Sequence, residues 1–72
     1  MLHLQMRVPD HLADEAVQLL RSDDTVTNVA VVAGGYVDPP GTLVMADLAR
    51  EGANAVIAAM RRLRIHLSLI HI

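Results

Sequence analysis

From Leu2 to Val8 apolar and polar residues alternate without a break: Leu2, Leu4, Met6 and Val8 against His3, Gln5 and Arg7. A period of two belongs to an extended strand that turns one face toward a core. Pro9-Asp10 stops it, and the spacing then lengthens. Leu12, Ala16, Leu19 and Leu20, with Ala13 and Val17 beside them, form one apolar stripe of a helix. Asp10 suits the N-cap, and Asp14 and Glu15 sit early, where the helix dipole favours acids. The helix is expected to end within residues 21–24, and a valine- and threonine-rich strand follows over 26–32.

Gly34-Gly35 opens a connection that Asp38-Pro39-Pro40-Gly41 closes, both being turn chemistry. The pattern predicts a hairpin with a longer loop, then a third strand over 42–46. That strand is apolar on both faces, Leu43 and Met45 against Val44 and Ala46, as befits a central strand. A second helix is expected over 49–64. Ala53, Val56, Ile57, Met60 and Leu63 form its buried stripe, with Arg50, Glu51, Asn54, Arg61 and Arg62 in water. The order strand, helix, strand, strand, helix is an α+β chain of ferredoxin-like split βαβ type, with the fourth strand missing or replaced by the tail. In that topology the first and third strands are central, and without a fourth strand the first becomes an open edge that invites association.

The tail changes the picture. The chain has no lysine, cysteine, phenylalanine or tryptophan, and its six basic residues are all arginine. Yet three of its four isoleucines (Ile65, Ile70, Ile72) and two of its four histidines fall in the last eight residues. The final LSLIHI resembles one reading frame of the transposon mosaic-end adapter used in sequencing libraries, CTG TCT CTT ATA CAC ATC. The expectation is that residues 1–66 are a native domain fragment and 67–72 a foreign, adapter-derived tail, to be set aside in fold reasoning. Ile65, Leu67 and Leu69 alternating with His66, Ser68 and Ile70 are apolar enough to imitate the missing strand.

Seventy-two residues make one domain. A hydrophobic content of 53% with 19% charged residues excludes a disordered tail. A net charge of −2 with scattered arginines leaves no footprint for nucleic acid, and a single aromatic, Tyr36, gives no stacking platform. Without cysteine there is no disulfide framework, thiol nucleophile or thiolate zinc site. His3, His11, His66 and His71 lack the spacing of a zinc pair, so surface histidine is the expectation and no metal is implied. Gly34-Gly35 precedes a strand rather than a helix, which argues for a turn and against a phosphate loop. No catalytic constellation is visible, so the chain is not expected to be an enzyme and no cofactor is implied. The candidate ligand-binding residues are Asp47, Arg50 and Glu51, at the junction of third strand and second helix. A carboxylate and a guanidinium near a helix start can hold a polar ligand; the same residues also suit plain capping, with Asp47 as cap and Glu51 on the dipole.

Other ferredoxin-like types fit poorly. The paired cysteines of copper chaperones are missing, Leu4, Met6, Leu43 and Met45 stand where RNA-recognition domains need aromatics, and Val8-Pro9-Asp10 replaces the glycine-containing turn of amino-acid-binding domains of the ACT type. One family fits better. MLHLQMRVPDH, TNVAVVAGGYVDPPGTLVMADLARE and GANAVIAAMRRLRIH resemble the amino-terminal region of the domain-of-unknown-function 389 family, hydrophobic bacterial membrane proteins. The most specific stretch joins loop 34–41 to Met45-Ala46-Asp47-Leu48-Ala49-Arg50-Glu51. Ala46 stands where many relatives have cysteine, and Ala33 where proline is common. The resemblance implies a further strand, a linker and several membrane helices beyond residue 66, and carries over no functional residue. The implied function is a non-catalytic regulatory or assembly domain of a multi-pass membrane protein, on the cytoplasmic face of the bacterial inner membrane. Its partners would be the membrane domain of its own full-length chain and, through a sheet edge or face, a second copy. The alternative is a stand-alone small-molecule sensor, with a ligand at Asp47/Arg50/Glu51.

Overall fold

A computed structural model of the chain describes residues 1–63 and 65–71, the last six through their backbone alone. Strand β1 spans Leu2–Val8, helix α1 Ala13–Arg21, strand β2 Val26–Val37, strand β3 Pro40–Leu48, helix α2 Ala53–Arg62 and strand β4 His66–His71. Single 3-10 turns, Asp10–Leu12 and Arg50–Gly52, lead into the two helices. The strands form one antiparallel sheet in the order β2-β3-β1-β4, with β1 and β3 central. The fold is the α+β, ferredoxin-like arrangement expected from the element order.

The period of two in β1 becomes burial directly. Leu2, Leu4, Met6 and Val8 are buried, and His3, Gln5 and Arg7 are half-buried on the other face. Val44, Ala46 and Leu48 of β3 join the same core, against Ala16 and Leu20 of α1 and Ala53, Val56 and Met60 of α2. At about 25 cal/mol per Å² of apolar surface removed from water, this layer is the main stabilising term of so small a domain. Leu19, expected in the first helical stripe, is exposed instead. It lies one step around from Leu20, on the rim of the stripe.

Three local expectations are corrected. Asp10 does not cap α1: the helix begins after a 3-10 turn with Leu12 at the N-cap position and no side-chain cap. The Asp10 carboxylate instead accepts a 2.7 Å hydrogen bond from Oγ1 of buried Thr42, satisfying the one polar side chain buried in the described core. The loop expected over 34–41 is mostly strand. β2 continues to Val37, a two-residue turn at Asp38-Pro39 (a cis peptide) reverses the chain, and β3 starts at Pro40. The β2–β3 pairing has two irregularities, one between Thr27 and Ala30 and one between Val32 and Tyr36, and the second absorbs the glycines. Gly34 has φ +70°, and a Cβ on Gly35 would come within 2.6 Å of Leu43 Cβ, so glycine here serves a bulge rather than a loop. Finally, α2 begins at Ala53, not at 49, after the 3-10 turn. It ends at Arg62; Arg64, where the sequence places its end, lies outside the described residues.

Strand β4 runs antiparallel to β1, with Leu2 opposite His71 and Arg7 opposite His66. The tail thus holds the place of the fourth strand and covers the β1 edge. That pairing uses backbone groups, which every sequence carries, so it bears equally on a native and on a foreign strand. The side-chain alternation expected of this segment lies outside the described residues.

Candidate functional site

Both helices lie on one face of the sheet. On the open face, strand pairing sets His3, Gln5 and Arg7 of β1 beside Asp47, Met45 and Leu43 of β3, and Thr27, Ala30 and Val32 of β2 beyond them. The polar members of this face are tied to one another across the strands. Asp47 Oδ1 lies 3.0 Å from Nδ1 of His3 on one side, and Asp47 Oδ2 accepts a 2.9 Å hydrogen bond from Asn28 Nδ2 on the other. An ionised carboxylate only accepts, so the His3 Nδ1 carries the hydrogen. The bond from His3, and then that from Asn28, holds the Asp47 carboxyl below the ordinary carboxylate range.

The backbone explains how Asn28 reaches this carboxylate. Between Thr27, opposite Asp47, and Ala30, opposite Met45, β2 carries one residue more than β3. Asn28 sits in that bulge with φ +54°, a left-handed conformation that asparagine tolerates better than most residues. Bulges re-aim side chains, and this one turns an edge residue inward over the sheet. Further along, Gln5 Nε2 donates to the Tyr36 hydroxyl at 3.2 Å, again spanning from β1 to β2 across β3. Gly41, opposite Tyr36, leaves room for Arg7, whose Cγ would lie 2.8 Å from a Cβ placed there.

Of the three candidate ligand-binding residues, only Asp47 belongs to this network. Its carboxylate does not cap the helix start, because Ala49 holds the N-cap position of the 3-10 turn and no side chain caps it. Arg50 and Glu51 are exposed in that turn, and among the described residues no hydrogen bond or ion pair joins either of them to Asp47. The junction itself is held from beneath. Ala49 N donates to Thr25 O at 2.8 Å, and Gly52 lies so close to Thr25 that a Cβ would overlap its Oγ1. Thr25 is fixed in turn by Asp23, whose Oδ1 accepts from both Thr25 N and Thr25 Oγ1 at 2.8 and 2.6 Å. Those bonds, the side-chain one first, lower the Asp23 pKa.

His3 is therefore not the free surface histidine the sequence suggests, and Asn28 is a member the sequence gives no reason to pick. The pairing of His3 with Asp47 follows from strand register alone, 44 residues apart. An asparagine inside a valine-rich strand was the one available signal of a bulge. His11 is exposed, and the side chains of His66 and His71 lie outside the described residues. Among the described residues no three metal-ligating side chains gather, no surface pocket is present, and no helix is long and apolar enough to cross a membrane. The chain matches no protein-family model, no curated protein and no solved structure.

Proposed function

We propose that this chain is a non-catalytic assembly or regulatory domain, joined in its parent protein to a multi-pass membrane domain whose cytoplasmic side it occupies. The supporting observation is the open face of the sheet. Five of its polar groups, His3, Asp47, Asn28, Gln5 and Tyr36, hydrogen-bond to each other rather than converging on an empty point where a reacting atom would sit. Between them lie the apolar side chains of Ala30, Val32, Leu43 and Met45, half-buried or exposed. A satisfied polar lattice interleaved with apolar groups suits packing against another protein surface. The attachment to a membrane domain is supported by the sequence resemblance alone. The alternative of a small-molecule sensor at Asp47, Arg50 and Glu51 has less support, since both Asp47 carboxylate oxygens already have protein partners.

The test is to read the gene past His66 in clean genomic sequence and to express the complete protein. Apolar helix-length segments downstream, with the domain co-sedimenting with membranes until detergent is added, are the expected outcome. A stop codon soon after one further strand, with the product in the supernatant, overturns the proposal.

A further inference from the structure

Strand β2 forms one edge of the sheet; among the described residues no strand pairs with its outer side, and it carries no charge. From Val26 to Val37 the sequence is VTNVAVVAGGYV, twelve residues without an acid, a base or a proline. Natural edge strands are commonly blunted by charge, by proline, by shortness or by bulges; this one lacks the first three, and its two bulges leave only the stretch between them regular. Three of the five exposed large hydrophobic residues of the described chain, Val31, Val32 and Val37, lie on it. Val31 is the most telling. It stands opposite Val44, on the helix-covered face, where Val44 is fully buried and Val31 is 47% exposed. The core layer is thus unfinished at its β2 end, where a half-exposed valine stands with no strand beyond it among the described residues.

The edge also fixes the partner's geometry. The two irregularities leave Ala30–Val32 as the regular stretch between them, paired one to one with Met45, Val44 and Leu43. A second sheet can extend this edge in plane only if residues that face each other share a face of the sheet. For an antiparallel pairing of two identical strands about a two-fold axis, that condition requires the axis to pass through a residue and not between two. The middle of the regular stretch is Val31. Centred there, Val31 meets its own copy on the helix side, and Ala30 meets Val32 of the other copy on the open side.

We propose that two copies of this chain pair through their β2 edges, antiparallel and about a two-fold axis at Val31, joining two four-stranded sheets into one of eight. An uncharged edge accepts its own copy without like-charge repulsion, and the two Val31 side chains complete the core layer that each copy leaves open. The axis is perpendicular to the sheet, so all four helices remain on one side and the open face becomes one continuous surface. A ladder this short buries less than the roughly 800 Å² per partner of a standard interface, so the dimer is concentration-dependent. The inference deepens the assembly reading by naming a second copy as partner, and rests on it only in that sense.

The chain contains no cysteine, so each cysteine variant below carries a single thiol. Val31→Cys places the two thiols opposite one another across the axis. Val37→Cys places them on a residue that is far more exposed, at 86%, but away from the axis. Under mild oxidation Val31→Cys should give a disulfide-linked dimer faster than Val37→Cys, whereas random collision favours the more exposed site. Val31→Lys, which sets two like charges face to face, should return the sedimenting mass to that of the 7.8 kDa monomer. Far-ultraviolet circular dichroism checks that all three variants fold, as expected with Val31 and Val37 both outside the buried core. Faster cross-linking at position 37, wild-type protein that stays monomeric to millimolar concentration, or a dimer that survives Val31→Lys each overturns the proposal, the last pointing to the open sheet face instead. Membrane co-sedimentation of the complete protein does not depend on Val31, so failure here and failure of the assembly reading are separate results.

Discussion

Strands β1 and β2 flank the same strand, β3, and carry similar apolar content, yet they end in opposite environments. In β1 every second side chain is buried and the rest are half-buried; in β2 no side chain is buried. Hydrophobicity alone does not separate LHLQMRV from VTNVAVVAGGYV. Topology does. β1 lies between β3 and β4 and beneath the helix layer, so it is paired along both edges and its inward residues meet side chains of β3 and of both helices. β2 has a paired strand on one side only, and of its residues only Val26 and Val29 pack against the core. The same valine that would stabilise a central strand is left at an edge as surface for association.

The sharpest way to break this contrast is to truncate one residue in the central strand. Leu4 is fully buried on β1. Leu4→Ala should cost about 2–5 kcal/mol, the range for a large-to-small change in a core that relaxes only in part. A domain of this size rarely has more than ~3–5 kcal/mol in total, so the variant is expected to be largely unfolded at 25 °C. A urea titration followed by circular dichroism checks it. A midpoint within error of wild type would mean that β1 is not the centre of the core.

Next in size is the support that holds the helix layer over β1. Gly52 enters α2 against Thr25, and a Cβ there would overlap the threonine side chain. Gly52→Ala should destabilise by about 1–3 kcal/mol through overpacking. Thr25→Gly removes the side-chain atoms that such a Cβ would overlap, so the double variant should recover part of the loss. A double-mutant cycle in urea reads the coupling. Strict additivity would show that the close approach is not what makes glycine necessary.

How much of this was legible beforehand follows the same contrast. Where local pattern and tertiary environment agree, the sequence sufficed: β1 matches residue for residue, and the buried stripe of α2 holds at Ala53, Val56 and Met60. Where the backbone departs from a regular period, it did not. Gly34-Gly35 signals a break in the strand, but a bulge and a loop demand the same residues, and only the partner strand distinguishes them. Asp10 and Asp47 both look like caps because each precedes a helix. Each was drawn instead to a long-range partner, Thr42 or His3, that no local pattern contains. The candidate site was legible to the extent of Asp47. Arg50 and Glu51 were chosen for adjacency in sequence, whereas the sheet joins residues by register.

The network around Asp47 gives a smaller effect, confined to acid pH. Its carboxyl is held below the ordinary value of 3.8 by the bonds from His3 and Asn28. A folded-state pKa below the unfolded one means that the native state binds fewer protons, so the contribution is full above the unfolded value. It is lost as pH falls from about 4 through the lower folded-state value. Asp23 acts in the same direction through Thr25. Asp47→Asn should therefore flatten part of the acid limb of a thermal-stability profile, and the remaining slope should diminish again in Asp47→Asn/Asp23→Asn. An unchanged acid limb in the double variant would show that neither carboxylate is bonded in this way in solution.

The finest comparison uses one pair of facing residues. Val31 and Val44 are cross-strand neighbours on the same face, one on the edge and one in the core. Threonine is close in size to valine and equally at home in a strand, so substituting each in turn isolates the polarity of the surroundings. At position 44 the new hydroxyl is buried, and without a partner it costs about 1–3 kcal/mol. At position 31 it can reach water, and the change should stay within ~0.5 kcal/mol. That difference holds for the monomer and should be measured at low protein concentration. At high concentration the two-fold pairing buries the edge, so Val31→Thr should weaken dimerisation as well and the gap between the two sites should narrow. A cost at position 31 that does not depend on concentration would mean that something within the chain already covers this edge.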